Sequence, residues 1–154
     1  MSKIGRILAE GYLQKGILPL SAKIILDIVR KIIGENMPLV KVNMLAGKTP
    51  EFKKAVFDCI HQGLIDAFGI ADWDRFQRIE EFDKTNWEAP EGKTENFMII
   101  ELTIFPGRSR EQKKCAIEKI TGLLCEKLGI PATDVFIVMN EPPLENWGMG
   151  GNQK

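Results

Sequence analysis

From Leu39 onward the chain repeats itself at an offset of sixty residues, with no gap. Pairing residues 38–88 with 98–148 gives thirteen identities in fifty-one positions, more than chance composition produces. Leu39–Leu45 falls on Ile99–Phe105, both rich in branched and aromatic residues. Gly47, Glu51, Lys53 and Lys54 recur as Gly107, Glu111, Lys113 and Lys114. Ile60, Leu64, Gly69 and Ile70 recur as Ile120, Leu124, Gly129 and Ile130. Asp74, Phe76, Glu81, Asn86 and Trp87 recur as Asp134, Phe136, Glu141, Asn146 and Trp147. A repeat of this length constrains the fold more than any single motif does. Whatever one unit forms the other must form too, and the two must bury their apolar faces together.

Each unit reads as strand, helix, strand. In the first, Thr49 is placed to cap a helix and Pro50 to open it, since proline has no N–H to lose at that position. Phe52, Ala55, Val56, Cys59, Ile60, Leu64, Ala67 and Phe68 then recur at helical spacing, and Gly69 stops the run. In the second, Ser109 and Gln112 form a capping box. Ala116, Ile117, Ile120, Leu123, Leu124 and Leu128 make the stripe, and Gly129 with Pro131 ends it. The returning strands are expected over Arg75–Phe82 and Asp134–Glu141. A helical crossover makes each strand pair parallel. The predicted fold class is therefore α+β, as βαβ-βαβ, with a four-stranded mixed sheet carrying two helices on one face. The bare face needs cover, which a small chain commonly obtains by oligomerising.

Residues 1–36 stand outside the repeat and read as an N-terminal extension of one or two amphipathic helices, followed by a domain over residues 37–154. Ser21 is a candidate cap, and Ile24, Ile25, Ile28, Val29, Ile32 and Ile33 form a stripe up to Gly34. Asp27, Arg30 and Lys31 interrupt that stripe, which disfavours a secretory signal. A basic amphipathic helix more commonly packs on protein than lies on a membrane. A third reading removes the segment from the native product, with Met37 as the first residue translated.

The whole chain balances 21 Lys and Arg against 21 Asp and Glu, so no strong field points to nucleic acid or a membrane surface. No apolar run approaches the roughly 20 residues that span a bilayer. Three cysteines without a Cys-x-x-Cys pair suit reduced thiols in a cytoplasmic protein, and with a single histidine they disfavour a metal site.

Candidate chemistry is sparse. Gly47-Lys48-Thr49 resembles the end of a phosphate-binding loop, but Val42 stands where that motif needs its first glycine. What remains is a cation, Lys48 or Arg108, just before each helix, where free N–H groups and the helix dipole add to its attraction for a carboxylate or phosphate. A solvated loop charge is the plainer reading of either one alone. His61 lies beside the apolar stripe and reads as a half-buried or surface residue. Asp74 and Asp134 precede returning strands and could simply end turns. Only Asp74 is followed by an arginine, Arg75, which makes the first copy the more polar one. Trp147 sits among prolines and glycines, better placed for a pocket wall or an intersubunit contact than for a core.

Met37-Pro38, the two βαβ units, Gly-[Lys/Arg]-[Thr/Ser] at each helix start and the tail Asn146-Trp147-Gly148-Met149-Gly150-Gly151 together resemble the tautomerase superfamily. The tail and second unit are similar to 4-oxalocrotonate tautomerase. The length from Pro38, with Asp74-Arg75-Phe76-Gln77 and Arg108-Ser109, is more similar to the fused-unit branch that includes malonate semialdehyde decarboxylase. The resemblance implies a tautomerase/MIF-like fold, a homotrimer, no cofactor, and a small carboxylate as substrate. It implies that Pro38, as an N-terminal proline, is the general acid/base, because a terminal secondary amine titrates and an amide nitrogen does not. Arg108 would bind the substrate carboxylate and polarise its carbonyl, Trp147 would form the apolar wall, and Asp74 matches the aspartate used by the decarboxylase branch. Arg75 and Lys48 are further candidates for substrate binding. That branch has a second arginine two residues before Arg108, and this chain has Pro106 there. The resemblance therefore favours keto–enol tautomerisation of a 2-oxo acid over decarboxylation, dehalogenation or hydration. If Pro38 stays internal, it implies instead a binding or structural protein on the same fold.

Overall fold

The computed structural model describes residues 37–154, so the expected helices of residues 1–36 lie outside the described residues. The elements run β1 (Leu39–Leu45), α1 (Pro50–Phe68), β2 (Phe76–Phe82), β3 (Met98–Thr103), α2 (Arg110–Leu128) and β4 (Val135–Asn140). A short hairpin of β5 (Gly148–Met149) and β6 (Asn152–Gln153) ends the chain.

Both helices begin as their sequences dictate. Thr49 Oγ1 accepts the Phe52 N–H at 3.2 Å, with Pro50 in the first turn. Ser109 and Gln112 cap reciprocally at 3.2 and 3.0 Å, so two N–H groups that the helix cannot satisfy find side-chain acceptors. Gly69 and Gly129 end the helices in the left-handed region, at φ of 66° and 63°, where a Cβ would be strained.

The sheet order is β2-β1-β3-β4, with parallel outer pairs and an antiparallel centre. Val40, Val42 and Met44 of β1 pair with Leu102, Ile100 and Met98 of β3, so six apolar side chains share one face. Both helices pack there through Val56, Ile60 and Leu64 of α1 and Ala116, Ile120 and Leu124 of α2. Ile100, Leu102, Ile120 and Leu124 are wholly buried, and each contributes about 1.5–3 kcal/mol relative to an exposed position. The opposite face carries Phe76, Phe136 and Val138 in exposed positions beside the charges Lys41, Glu80 and Glu101. The four-stranded mixed sheet with both helices on one face is the architecture the duplication predicts.

The repeat is exact in the helices, whose bounds differ by sixty residues at both ends. It extends to ion pairs: Lys53 meets Glu81 at 2.7 Å, and Lys113 meets Glu141 at 2.7 Å. Among the described residues no helix is long and apolar enough to cross a membrane.

Candidate active site

The antiparallel centre of the sheet places the two copies head to tail, so each end of the sheet collects the same positions from opposite copies. Leu39 pairs with Phe76 and with Thr103, and Thr103 pairs with Asn140. Pro38, Asp74, Arg75, the loop to Arg108, and the segment to Trp147 therefore all leave the sheet at one end. Lys48 leaves at the other, where Leu45 pairs with Phe82 and Met98 with Val135. Of the sequence candidates, all but Lys48 lie at this one end of the sheet.

Pro38 is buried at the entry to β1, and its nitrogen is in a peptide bond with Met37. Arg108, half-buried, reaches the C-terminal end of α1. Its Nη1 donates to the Phe68 carbonyl at 3.4 Å, and its guanidinium lies 4.7 Å from the Phe68 ring centre. The carbonyl end of a helix and an aromatic face both attract a cation. Burial lowers the guanidinium pKa, and nearby Glu141 opposes that shift. Trp147 packs on Phe105 with ring centres 4.5 Å apart, and its indole N–H donates to the Pro142 carbonyl at 3.2 Å. It borders a cavity of about 380 Å³ shaped by Glu145–Gln153, which Pro38, Asp74 and Arg108 do not line.

Asp74 and Asp134 occupy equivalent positions in different states. Asp134 is fully buried and saturated: it accepts the Thr94 N–H at 3.2 and 3.4 Å and the Thr94 hydroxyl as well. Asp74 is only 3% exposed, and its Oδ1 is buried without a hydrogen-bond partner. Burial raises its pKa, and the imidazole of His61 opposes the rise. Thus Asp134 ends a turn, whereas Asp74 is a buried carboxyl held towards its neutral form.

His61 departs from the expectation of a half-buried or surface residue, being only 2% exposed. Its Nε2 lies 2.9 Å from the Asp72 carbonyl, which can only accept, so that nitrogen carries the proton. Arg75 donates to Asp58 Oδ1 at 2.9 Å and to the Asp72 carbonyl at 3.3 Å, tying the loop to α1. The sequence reading missed Phe68 as the seat of Arg108 and Phe105 as the support of Trp147. Both lie in apolar runs, and no local signal separates them from core residues.

Two family models, each described as a tautomerase enzyme, match residues 38–95 and 74–150, the latter being half of the chain. This chain belongs to the tautomerase superfamily. Among its relatives, the probable tautomerase YusQ of Bacillus subtilis (strain 168) is 25% identical over 122 residues, covering 76% of this chain and 96% of the relative. The 2-hydroxymuconate tautomerase of Comamonas testosteroni is 43% identical over 53 residues, 34% of this chain and 84% of the relative. That short tautomerase matches little more than one repeat unit, as a duplicated tautomerase chain requires. A malonate semialdehyde decarboxylase structure aligns with a TM-score of 0.67 at 26% identity, over 73% of this chain and 90% of that one. A fused 4-OT asymmetric trimer aligns with a TM-score of 0.67 at 19% identity, over 74% and 94% of the two chains, a likeness of fold.

Proposed function

We propose that this chain catalyses proton transfer on a small 2-oxo acid, interconverting its enol and keto forms, with Pro38 as general acid/base. The observation that carries the proposal is the difference between the two sheet ends. The end with Pro38 holds a buried carboxyl, Asp74, with an oxygen left unpartnered, while its counterpart Asp134 is saturated by Thr94. A buried, unsatisfied polar group costs about 1–3 kcal/mol, and such a group in a cleft is a mark of a working site. In this reading Arg108 binds the substrate carboxylate and steadies the enolate oxygen, and Trp147 forms the apolar wall. Asp74 accepts a hydrogen bond from the protonated amine or from substrate. The proline nitrogen removes the proton beside the carbonyl and returns it elsewhere on the conjugated system. Arg75 orders the loop beneath Asp74, and its contact with substrate is secondary.

This role requires a free amine on Pro38, so the working form begins there, after Met37 and everything before it are gone. The exposed Phe76, Phe136 and Val138 on the outer sheet face support assembly into a homotrimer; the fused 4-OT neighbour is described as an asymmetric trimer. The relatives named decarboxylase make decarboxylation the competing chemistry on the same site.

Ketonisation of enol-phenylpyruvate tests the proposal. A version beginning at Pro38 is expected to accelerate it, the chain retaining residues 1–37 is not, and Arg108→Ala should reduce kcat/KM by about 10²-fold or more. Equal rates from the two lengths would refute the proline's role. Absence of any rate above buffer from either, with carboxylates still bound, would favour a binding protein in which Pro38 stays an amide.

A further inference from the structure

The duplication leaves a second sheet end that the proposed reaction does not use. There Met98 stands in place of Pro38, Lys48 in place of Arg108, Asp134 in place of Asp74 and Trp87 in place of Trp147. With no proline and with Asp134 held by Thr94, this end lacks the proline and open aspartate that the proposed reaction uses at the other. It nevertheless holds a cavity of about 260 Å³, bordered by Leu45, Trp87, Lys84, Lys93, Thr94 and Glu95. We propose that this cavity is a non-catalytic binding site for a small aromatic carboxylate.

The walls are chemically divided. Trp87 stacks on Phe82 with ring centres 5.5 Å apart and meets Phe97 at 5.7 Å, so its ring is fixed before any ligand arrives. A fixed aromatic wall takes a flat ligand ring at little cost in side-chain entropy. The charges facing it are unbalanced. Lys84 pairs with Glu95 at 2.6 Å, whereas Lys93 donates to the Thr133 carbonyl. That acceptor is neutral, so two ammonium groups border the cavity beside one carboxylate. An ammonium has three N–H donors, and one contact each leaves donors for an incoming anion. A cavity of this volume lies near the lower limit for ligand sites, which restricts the occupant to a small acid.

The test follows the Trp87 indole N–H signal in ¹H–¹⁵N spectra of the full chain, assigned with Trp87→Phe, during titration with phenylacetate. Saturable movement is expected in the millimolar range. Arg108→Ala, which removes the cation at the other end, should leave the titration unchanged, making the result independent of the proposed catalysis. Lys84→Gln with Lys93→Gln should weaken binding about tenfold. Lys84→Gln alone, at an exposed position that folding does not need, should weaken it about threefold. A signal that stays fixed to about 10 mM, that moves equally in the lysine variants, or that loses its response in Arg108→Ala overturns the proposal.

Discussion

One substitution made at two helical glycines should change stability in opposite directions. Gly63 lies in α1 at the crossing with α2, and Gly122 lies on the exposed side of α2. Replacing a helical glycine by alanine removes unfolded-state freedom and favours the folded chain by about 0.5–1 kcal/mol. At Gly122 a new Cβ meets nothing within 4 Å, so that gain should be realised in full. At Gly63 the Cβ would stand 2.6 Å from Ile120 Cγ1 and 3.0 Å from its backbone nitrogen. Carbon atoms pack comfortably at about 3.5–4.0 Å. Ile120 is wholly buried, its branched side chain has one favoured rotamer in a helix, and a backbone atom gives way only if the whole helix moves. Overpacking of this kind costs about 1–3 kcal/mol, which outweighs the propensity gain. Gly63→Ala should therefore lose about 1–2 kcal/mol and Gly122→Ala gain about 0.5–1 kcal/mol. Urea unfolding followed by far-UV circular dichroism, at one fixed protein concentration, measures both. The fixed concentration matters because assembly would add its own stabilisation. If Gly63→Ala proves as stable as Gly122→Ala, the helices do not approach as described, and the account of the core fails.

Asp74→Asn should raise the melting temperature at neutral pH. A raised folded-state pKa means the neutral carboxyl stabilises the fold below the ordinary carboxylate pKa, and that contribution is lost as pH rises through the folded value. The advantage of asparagine over aspartate should accordingly shrink on acidification, as scanning calorimetry between pH 4 and 8 would register; an advantage constant with pH would contradict the burial argument. Ser109→Ala removes the hydroxyl half of a capping box and should cost about 1 kcal/mol in the same urea experiment. Arg75→Ala breaks a surface pair with Asp58 and should cost no more than about 1 kcal/mol, because solvent screens both partners. A larger loss would mean that the loop before β2 depends on Arg75 for its position.

The repeat made the architecture legible because it reports on spacing, and spacing decides both helix bounds and strand direction. Caps at Thr49 and Ser109 and stops at Gly69 and Gly129 act within one turn of their own residues, so sequence alone suffices for them. His61 was misjudged for a different reason. A helix lying only on a sheet buries a narrow stripe, but α1 also packs on α2 and under the loop at Asp72, so its buried arc is wider than periodicity suggests. The state of Asp74 was likewise beyond local reading, since its distinction from Asp134 rests on Thr94, forty residues away from Asp134.

Under the proposed function, that same comparison shows how a duplicated chain would keep one working end. Each copy supplies half of each end, so a change in either copy alters one end and spares the other. At the end with Met98, the proline is absent and Thr94 closes off the aspartate, which turns a potential acid into a fixed turn element. At the end with Pro38, the aspartate keeps an oxygen without a hydrogen-bond partner. In the proposed reaction the end with Pro38 does the work, while Thr94 closes the aspartate at the end with Met98. Transplanting the closure tests this directly. Thr94→Gly should leave the saturated aspartate without its hydroxyl partner and cost about 1–3 kcal/mol of stability. In the version beginning at Pro38 it should leave the ketonisation rate unchanged. A lost rate with stability intact would show that the two ends are not independent.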